Sequence, residues 1–425
     1  MNLNSKNIEI QFAALIGLDW GDRQHALALQ DASSGATETS TLEHSAESVR
    51  DWLKKIEQRF GSRPVAIALE TSKGPLIHMF FDVPWLTVFP VHPATSTRLR
   101  KAFCPSGAKD DIPDAQVLLQ LLVNHRDKLR PLVSDDPQTR RLGSLCEIRR
   151  HSVDQRTQIS NQLCSTLKGY FPQALELVGE RLYQPMALEL LKRWPDLISL
   201  KAAKPSTIKT FYHRHNVRRP EAVEQRLELI GKAVALTTDE VIVSSSVRQV
   251  RRLIELLKAL QKHIAQDDKL IHQAFIEHPD AGLFRDLPGA GAALGPRLLT
   301  AFGTDRSRYA KAADLQRYSG VAPVKEKSCG RIWIHWRWNA PWFLRQTFIE
   351  WAGQTVVYCS WAGAYYLKQK TRGKRHWAIL RSLAFIWIRI LWKCWQTRTP
   401  YDDTTYLAAL GKRGSTLIAT PAKTA

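Results

Sequence analysis

Short apolar runs near the start of the chain constrain its fold more than any other feature. Residues 13–18 and 26–29 flank a glycine-containing turn, which is the pattern of a β-hairpin, and residues 65–69 (VAIAL) and 86–91 (LTVFPV) predict two further buried strands. Residues 46–60 carry apolar side chains at helical spacing. The order hairpin, helix, strand, strand, helix predicts an α/β domain whose central strands are buried on both faces.

Carboxylates follow these predicted strands. Asp19 ends the first apolar run and Glu70 follows VAIAL, while Asp111 and Asp114 stand in KDDIPDA, just before an apolar helical run over residues 115–123. The carboxyl ends of strands in an open α/β sheet converge on one crevice, and positions i and i+3 of a helix face the same way. The pattern therefore predicts that these side chains meet.

Carboxylates that share a crevice repel one another unless cations lie among them. Oxygen ligands suit Mg²⁺ or Mn²⁺, and two such ions can clamp the attacking and leaving oxygens of a phosphodiester. The alternative interpretation is local, because a strand-end acid is often a turn residue and acids at a helix start stabilise the helix dipole. Asp110 is adjacent to Asp111, so either of the two is a candidate ligand.

The chain is strongly basic, and the charge is unevenly distributed. Lys and Arg number 61 against 40 Asp and Glu, a formal charge of +21. The net charge is −2 over residues 1–125, +7 over 126–280 and +16 over 281–425. Basic side chains bind phosphate by releasing condensed counterions, so the later segments favour a nucleic-acid partner. A basic surface that is merely solvated is the alternative.

Cysteine spacing and apolar patterning indicate the cellular compartment of the protein. The six cysteines show no CxxC or Cys/His ligand spacing, which predicts reduced thiols and no structural zinc. The N-terminus lacks a signal pattern, and Arg381, Arg389 and Lys393 interrupt the apolar stretch 378–395. We therefore expect a soluble cytoplasmic protein with no membrane span.

Two long apolar stripes mark the middle of the chain. Residues 131–172 and 247–275 carry apolar side chains at helical spacing. Such helices can pair as an antiparallel coiled coil, form an oligomer interface, or pack as ordinary helices. Prolines break the intervening residues 176–246 into short helical segments to which the sequence assigns no function.

The last third of the chain carries two glycine-containing motifs. LPGAG, from Leu287, enters a helix and has the form of a helix-hairpin-helix element, so Gly289 and Gly291 are candidates to bind a phosphate through backbone N–H groups. A plain helix-start loop is the alternative. Ser328 is predicted to lie in a glycine-containing loop, where it is a candidate nucleophile, although most loop serines are turn residues. Basic residues surround this serine: Lys325, Lys327 and Arg331.

Aromatic and basic residues alternate toward the C-terminus. Residues 333–395 hold ten of the 14 tryptophans, among many Lys and Arg side chains. Such a mixture suits stacking on unpaired bases, but most of these tryptophans are assigned to the core, some of them on one buried strand face. The segment TRGKRH, with Arg372, Lys374 and Arg375, is the better nucleic-acid candidate.

Together these motifs resemble the insertion sequence 110 family of DEDD transposases and the site-specific DNA invertases of the same type. The matching stretches are GLDWGD, ALETSKG, KDDIPDA, LPGAG, YSGVAP with KSCG, FLRQTFIEWA and WAGAYY with GKRHWAILRSLA. The resemblance implies a RuvC-like, ribonuclease-H-fold catalytic domain (1–130) and a helical, coiled-coil connector with an insert (131–280). It also implies a mostly helical C-terminal transposase domain (281–412), and residues 413–425 are expected to form a disordered tail.

The resemblance also implies a chemistry. Carried over residue by residue, the Mg²⁺ or Mn²⁺ ligands are Asp19, Glu70, Asp111 and Asp114, and the serine that joins DNA is Ser328. Cys329 stands where family members often have a second serine, so Ser328 is the only hydroxyl left before the glycine.

The expected partners are the DNA of the element ends and target, and a second copy of the chain in a dimer or tetramer. A structured non-coding guide RNA is a further candidate, because some family members use one. Two other functions stay open: a metal-dependent nuclease or junction resolvase that activates water, and a non-catalytic nucleic-acid-binding protein.

Overall fold

The computed structural model describes residues 11–71, 74–103, 111–337 and 340–414. The chain forms two compact units, which meet in sequence between Ser134 and Asp135. We call them the N-terminal unit and the C-terminal unit. The predicted finer subdivision at residue 280 stays a prediction, and the predicted tail lies outside the described residues from position 415 onward.

The N-terminal unit is built on a five-stranded mixed sheet in the order β3-β2-β1-β4-β5. Strand β1 pairs antiparallel with β2 and parallel with β4, which continues parallel to β5, and β3 pairs antiparallel with β2. The strands are β1 (Ala14–Asp19), β2 (Gln24–Asp31), β3 (Thr37–Glu43), β4 (Val65–Leu69) and β5 (Leu86–Pro90).

Helices cover both faces of this sheet, as the sequence predicted. They are α1 (Ala46–Phe60), α2 (Pro75–Phe81), α3 (Pro93–Phe103) and α4 (Asp111–His125). Alternate strand residues point to opposite faces. Ile16 and its neighbours pack against α1 and α2, whereas Leu15 and Ala66 pack with the buried face of α4. The unit is therefore the expected α/β fold.

Strand β3 was not predicted. Its sequence, TETSTLE, lacks apolar alternation, and six of its seven residues are exposed. The strand forms at the sheet edge because its backbone completes the ladder along β2, and only Leu42 reaches the core. Apolar periodicity cannot reveal an edge strand of this kind.

The C-terminal unit is mostly helical. Its helices are α5 (Pro137–Tyr170), α6 (Gln173–Val178), α7 (Pro185–Arg193), α8 (Leu197–Lys201), α9 (Pro205–Arg214), α10 (Pro220–Lys232), α11 (Glu240–Ile276), α12 (Ala281–Phe284), α13 (Gly291–Phe302), α14 (Ala312–Tyr318), α15 (Trp342–Tyr358), α16 (Ser360–Thr371), α17 (His376–Thr397) and α18 (Asp403–Lys412). Between α14 and α15 lies a two-stranded antiparallel sheet, β6 (Val324–Ser328) and β7 (Arg331–His335), which we call the β6–β7 ribbon.

The two long predicted helices pair with each other inside one chain. Helices α5 and α11 run antiparallel, with a register set by three polar contacts: Thr139 to His278, Arg149 to Asp268, and Arg156 to Gln261. No side chain of α5 between Cys146 and Leu163 is buried, and Ile264 is a buried residue of α11 facing this stretch, so the middle of the pair has few buried apolar side chains. Of the arrangements that the sequence left open, the structure contains the antiparallel intramolecular pair.

A separate hydrophobic core lies at each end of this helix pair. At one end, Leu163 and Leu257 pack with α6 to α10, which form the proline-rich insert. At the other end, Leu142 and Phe275 pack with α12 to α17. None of the helices in the described part of the chain is long and apolar enough to cross a membrane.

Candidate functional site

Asp19 and Glu70 lie side by side at the carboxyl edge of the sheet. Strands β1 and β4 are parallel neighbours, and Leu18 pairs with Leu69, so the residue after each leucine lies at the same edge. Both acids are partly buried. The sequence prediction that these two strand-end acids converge agrees with this register.

Helix α4 crosses directly over β1 and carries its acids toward the same edge. A Cβ atom on Gly17 would lie 2.0 Å from the Ala115 carbonyl oxygen, so glycine permits the close approach. The last turn of α4 lies beside Gln30, which is at the opposite end of the sheet from Asp19, since β2 is antiparallel to β1. The first turn therefore points toward the edge that carries Asp19 and Glu70.

That first turn contains Asp111 and Asp114. The helix begins at Asp111, four residues before the apolar run that the sequence predicted as helical. Asp110 lies outside the described residues, so the choice between Asp110 and Asp111 as ligand stays open.

Helix α3 supplies two polar contacts to these carboxylates that the sequence did not predict. Ser96 is buried, and its hydroxyl donates a hydrogen bond to Glu70. One turn later, Nη1 of Arg100 donates to both carboxylate oxygens of Asp114, at 3.0 and 2.7 Å. Positions i and i+4 share one face of a helix, so a single face of α3 binds two of the predicted metal ligands. The spacing of Ser96 and Arg100 was visible in the sequence, but nothing local tied it to the acids.

The four acids do not form a compact ligand cluster in this arrangement. Among residues 11–71, 74–103, 111–337 and 340–414, no three His, Cys, Asp or Glu side chains are grouped closely enough to hold a metal ion. Arg100 already balances the charge of Asp114, and Ser96 orients Glu70. The donor set has the hard oxygen chemistry that Mg²⁺ or Mn²⁺ requires, and the ligand assignment itself stays a prediction.

A histidine pair holds the turn that follows Asp19, and the sequence prediction missed it. The Gly21 backbone N–H donates to Nδ1 of His25, so Nε2 of that ring carries the proton and contacts Nδ1 of His44 at 3.0 Å. His25 is fully buried, and burial, followed by the charge of His44, lowers its pKa. The Trp20 ring lies against both histidines. This packing fixes the backbone directly after Asp19.

Ser328 is the last residue of strand β6, and the prediction that it lies in a loop was wrong. Cys329 and Gly330 make the two-residue turn with φ of 47° and 78°, as a type I′ hairpin requires, and Ser328 pairs with Arg331 across it. The serine is exposed at the tip of the β6–β7 ribbon, and its hydroxyl contacts the Cys329 sulfur at 3.8 Å.

The predicted buried tryptophan face on this strand was also wrong. Trp333 lies in β7 and is 48% exposed. The β6–β7 ribbon as a whole is exposed at nearly every position. Elsewhere the core assignment of tryptophans is confirmed for the four that are fully buried: Trp351, Trp361, Trp387 and Trp395. Trp338 lies outside the described residues.

The glycines of LPGAG have a packing role in the structure. Gly289 has a φ of 69°, and a Cβ atom there would lie 2.8 Å from Cβ of Gln354 on α15. Gly291, with a φ of 52°, begins α13 and has nothing within 4 Å of such an atom. The close approach accounts for Gly289, and phosphate binding by either glycine stays a prediction.

The basic segment TRGKRH forms the exposed turn between α16 and α17. Arg372, Lys374 and Arg375 are all exposed, and Gly373 has a φ of 75° that makes the turn. This segment therefore presents free cationic surface of the kind that a nucleic-acid backbone contacts.

Comparisons with known proteins agree with the motifs. A family model described as Transposase, of the IS110 DEDD type, matches residues 16–172, which include the four acids. A second, described as the Transposase IS116/IS110/IS902 family, matches residues 281–367, which include Ser328. Neither match includes residues 173–280, where the insert and α11 lie.

Three relatives from mobile elements align along most of the chain. The chain is 27% identical over 410 residues to the mini-circle putative transposase for IS117 of Streptomyces coelicolor, covering 95% of this chain and 98% of the relative. It is 24% identical over 400 residues to the insertion element IS110 uncharacterized 43.6 kDa protein of the same organism, covering 91% and 95%. A 42 kDa uncharacterized protein of insertion element IS900 from Mycobacterium paratuberculosis is 26% identical over 304 residues, covering 71% and 75%. With both family regions matched in order along one chain, this protein belongs to the IS110 family of DNA transposases.

Proposed function

We propose that this transposase cuts and rejoins DNA through a covalent bond between Ser328 and a DNA phosphate, assisted by divalent cations at its acidic edge. The observation that supports the proposal is the register of β1 and β4, which brings Asp19 and Glu70 side by side at the carboxyl edge of one mixed sheet, the edge toward which the first turn of α4 points. A mixed sheet covered by helices on both faces also supports a RuvC-like, ribonuclease-H-type fold for this unit.

The ligands proposed for Mg²⁺ or Mn²⁺ are Asp19, Glu70, Asp111 and Asp114. A bound cation would supply charge neutralisation to the phosphate under attack. The protein's own contribution is orientation: Ser96 holds the Glu70 carboxylate, and the buried His25 pair fixes the turn after Asp19. Arg100 would compete with a cation for Asp114, since its Nη1 already donates to both oxygens of that carboxylate.

The serine step preserves bond energy. Oγ of Ser328 attacks phosphorus, its proton passes to solvent, and the bond from phosphorus to one sugar oxygen breaks, so that oxygen leaves and takes up a proton. Attack by another sugar hydroxyl reverses these changes and frees the serine. One phosphoester bond replaces another at each stage, so exchange and rejoining of strands need no external energy source.

The partners follow from the charge distribution. Exposed basic residues on the β6–β7 ribbon and in the turn between α16 and α17 support binding to DNA backbone. We further propose that the chain acts as a homo-oligomer on the cell's own DNA in the cytoplasm, with a structured non-coding RNA as a candidate guide.

The test is to capture the covalent intermediate. The full chain is incubated with Mg²⁺, DNA carrying the element ends, and a transcript of the flanking region, and protein bound to labelled DNA is resolved after denaturation. We compare the wild type with Ser328→Ala, and with Ser319→Ala as a control that removes a buried serine hydroxyl from the same unit.

A conjugate that is lost only in Ser328→Ala supports the serine mechanism. Cleavage without a conjugate, equal in all three proteins, would indicate instead a nuclease that activates water at the acidic edge. DNA binding without any cleavage, with or without Mg²⁺, would indicate a non-catalytic binding protein.

A further inference from the structure

The β6–β7 ribbon places a second functional group directly opposite Ser328. In its ladder Ser328 pairs with Arg331. The alternate pairs on the same face are Glu326 with Trp333 and Val324 with His335. The pairs on the other face are Lys325 with Ile334 and Lys327 with Ile332. Directly opposed residues project from the same face of an antiparallel pair, and successive pairs alternate between faces. Ser328 and Arg331 therefore share the tip of one face, and both lysines project from the other face.

The short turn makes this pairing close. Only Cys329 and Gly330 separate the two residues, and their positive φ angles produce the tight type I′ geometry. Cβ atoms of directly opposed residues lie about 4.5–5.5 Å apart. A guanidinium on its flexible stem can therefore reach a phosphate that is in contact with the serine hydroxyl.

The acid nearest to this pair on the same face is engaged elsewhere. Oε1 of Glu326 lies 2.9 Å from Nε2 of His335, at the base of the ribbon. The hydrogen bond between His335 and the Trp336 carbonyl, together with Glu326, raises the pKa of that histidine and so favours the charged partner. In the described part of the chain no carboxylate forms an ion pair with Arg331, which leaves its charge for a ligand.

We propose that Arg331 binds the non-bridging oxygens of the phosphate that Ser328 attacks and so positions that phosphate for the serine. The inference rests on the proposed function, because it takes Ser328 as the nucleophile. Arginine suits the role, since its planar fork binds phosphate oxygens in pairs and keeps its charge at any physiological pH. Lys325 and Lys327, on the opposite face, would contact neighbouring backbone without touching the reacting phosphate.

The test uses charge compensation. Full-length wild type, Arg331→Ala, Ser328→Ala and Lys327→Ala are compared on two substrates that differ only at the cleaved position, a phosphodiester and an uncharged methylphosphonate. Lys327→Ala is the matched control, since it removes the same charge from the same ribbon on the other face. DNA binding is measured in parallel, so that a loss of affinity is separated from a loss of cleavage.

On the phosphodiester we expect Arg331→Ala to cut about 100-fold or more slowly at saturating DNA, the usual effect of removing one group that stabilises the reacting charge. On the methylphosphonate its deficit relative to wild type should shrink to about tenfold or less, because that substrate lacks the negative charge and one of the two non-bridging oxygens that Arg331 would bind. Lys327→Ala should weaken DNA binding by a similar factor on both substrates, without the difference between substrates that is expected for Arg331→Ala.

Two outcomes would overturn the role of Arg331 while leaving Ser328 in place. One is an equal cleavage defect in Arg331→Ala and Lys327→Ala. The other is a defect of Arg331→Ala that is the same on both substrates. Undiminished cleavage by Ser328→Ala would overturn the serine mechanism and this inference with it.

Discussion

Arg100 determines the electrostatic state of the acidic edge. Its guanidinium binds both oxygens of Asp114, and the two side chains remain 24% and 19% exposed. A cation in a protein site needs carboxylate oxygens that are free to approach it. Arg100 and a bound cation would therefore compete for Asp114, and the first prediction concerns this competition.

Replacing Arg100 with glutamine should strengthen cation binding. A partly exposed ion pair contributes about 0.2–1 kcal/mol, so its removal should tighten Mn²⁺ binding up to about fivefold. Titration of the full chain with Mn²⁺, followed by electron paramagnetic resonance, measures the affinity without any DNA. Arg98→Gln is the control, since Arg98 is an exposed residue of the same helix. Weaker Mn²⁺ binding by Arg100→Gln than by Arg98→Gln would contradict this competition.

At the scale of elements, the crossing of α4 over β1 depends on a single glycine. A Cβ atom on Gly17 would lie 2.0 Å from the Ala115 carbonyl oxygen and 2.4 Å from the Leu119 backbone nitrogen. Backbone atoms of a helix cannot yield separately, so any side chain at this position displaces α4 as a whole. Since α4 carries Asp111 and Asp114, this contact also sets the position of the candidate ligands.

Gly17→Ala should therefore destabilise the N-terminal unit. Overpacking typically costs 1–3 kcal/mol, and a contact with backbone atoms lies at the upper end, about 3 kcal/mol. Urea unfolding of the full chain, followed by hydrogen exchange of the β1 amides, measures the loss. Gly169→Ala is the control: it lies in α5 with nothing within 4 Å of the added atom and should be neutral or slightly stabilising. An unchanged exchange rate in β1 would contradict the packing argument.

The junction of α5 and α11 depends on a neutral histidine. The Asp280 backbone N–H donates to Nδ1 of His278, whose Nε2 contacts the Thr139 hydroxyl at 2.9 Å, and Thr139 in turn donates to Asp136. Burial lowers the pKa of His278 below its ordinary value of 6.5. Protonation at Nδ1 would set two N–H groups against each other and break the first of these bonds.

Stability of the C-terminal unit should therefore fall as the pH drops below 6.5. In that range the unfolded chain binds more protons than the folded one, so the free energy of unfolding decreases with falling pH, by at most about 1.4 kcal/mol per pH unit from this one group. Denaturant unfolding between pH 5 and 8 measures the slope. His278→Gln should flatten it, whereas His272→Gln, an exposed change near the end of α11, should not. Equal slopes in the two variants would exclude His278 as the source.

Apolar patterning predicted the elements that are buried and missed those that are not. Strands β1, β2, β4 and β5 were found because their cores are apolar, whereas β3 and the β6–β7 ribbon expose most of their residues. The carboxylates were predicted as ligands because each follows a buried strand or begins a helix. Ser96, Arg100 and His25 act through residues far away in sequence, and no local pattern connects them to their partners.

At the scale of the whole molecule, the C-terminal unit contains two cores that share only the ends of one helix pair. Each core is complete in itself, and the middle of the pair contributes polar contacts such as that between Arg149 and Asp268. A destabilising substitution in one core should therefore leave the other core folded, because few apolar contacts connect them.

A cavity in the insert core should unfold the insert locally. Leu191→Ala removes a fully buried side chain and should cost about 2–5 kcal/mol. Hydrogen exchange with mass spectrometry should detect lost protection over residues 163–257, while residues 281–397 keep theirs. Ile198→Ala, at a position that is 63% exposed, is the control and should leave both regions protected. Loss of protection throughout the unit would mean that the two cores unfold together.

The antiparallel helix pair also sets the order of events during synthesis. Helix α5 ends at Tyr170, but its partner α11 begins only at Glu240. The contact between Thr139 and His278 joins residues that are 139 positions apart in the sequence. At about 5–20 residues per second, the apolar stripe of α5 stays uncovered on the ribosome for roughly ten seconds. The N-terminal unit, complete by residue 134, is already free to fold in that time. During this interval the nascent chain exposes α5 without its partner helix, after the N-terminal unit has been synthesised. A chaperone, or α5 of a neighbouring nascent chain, therefore has access to the apolar stripe of α5 at this stage.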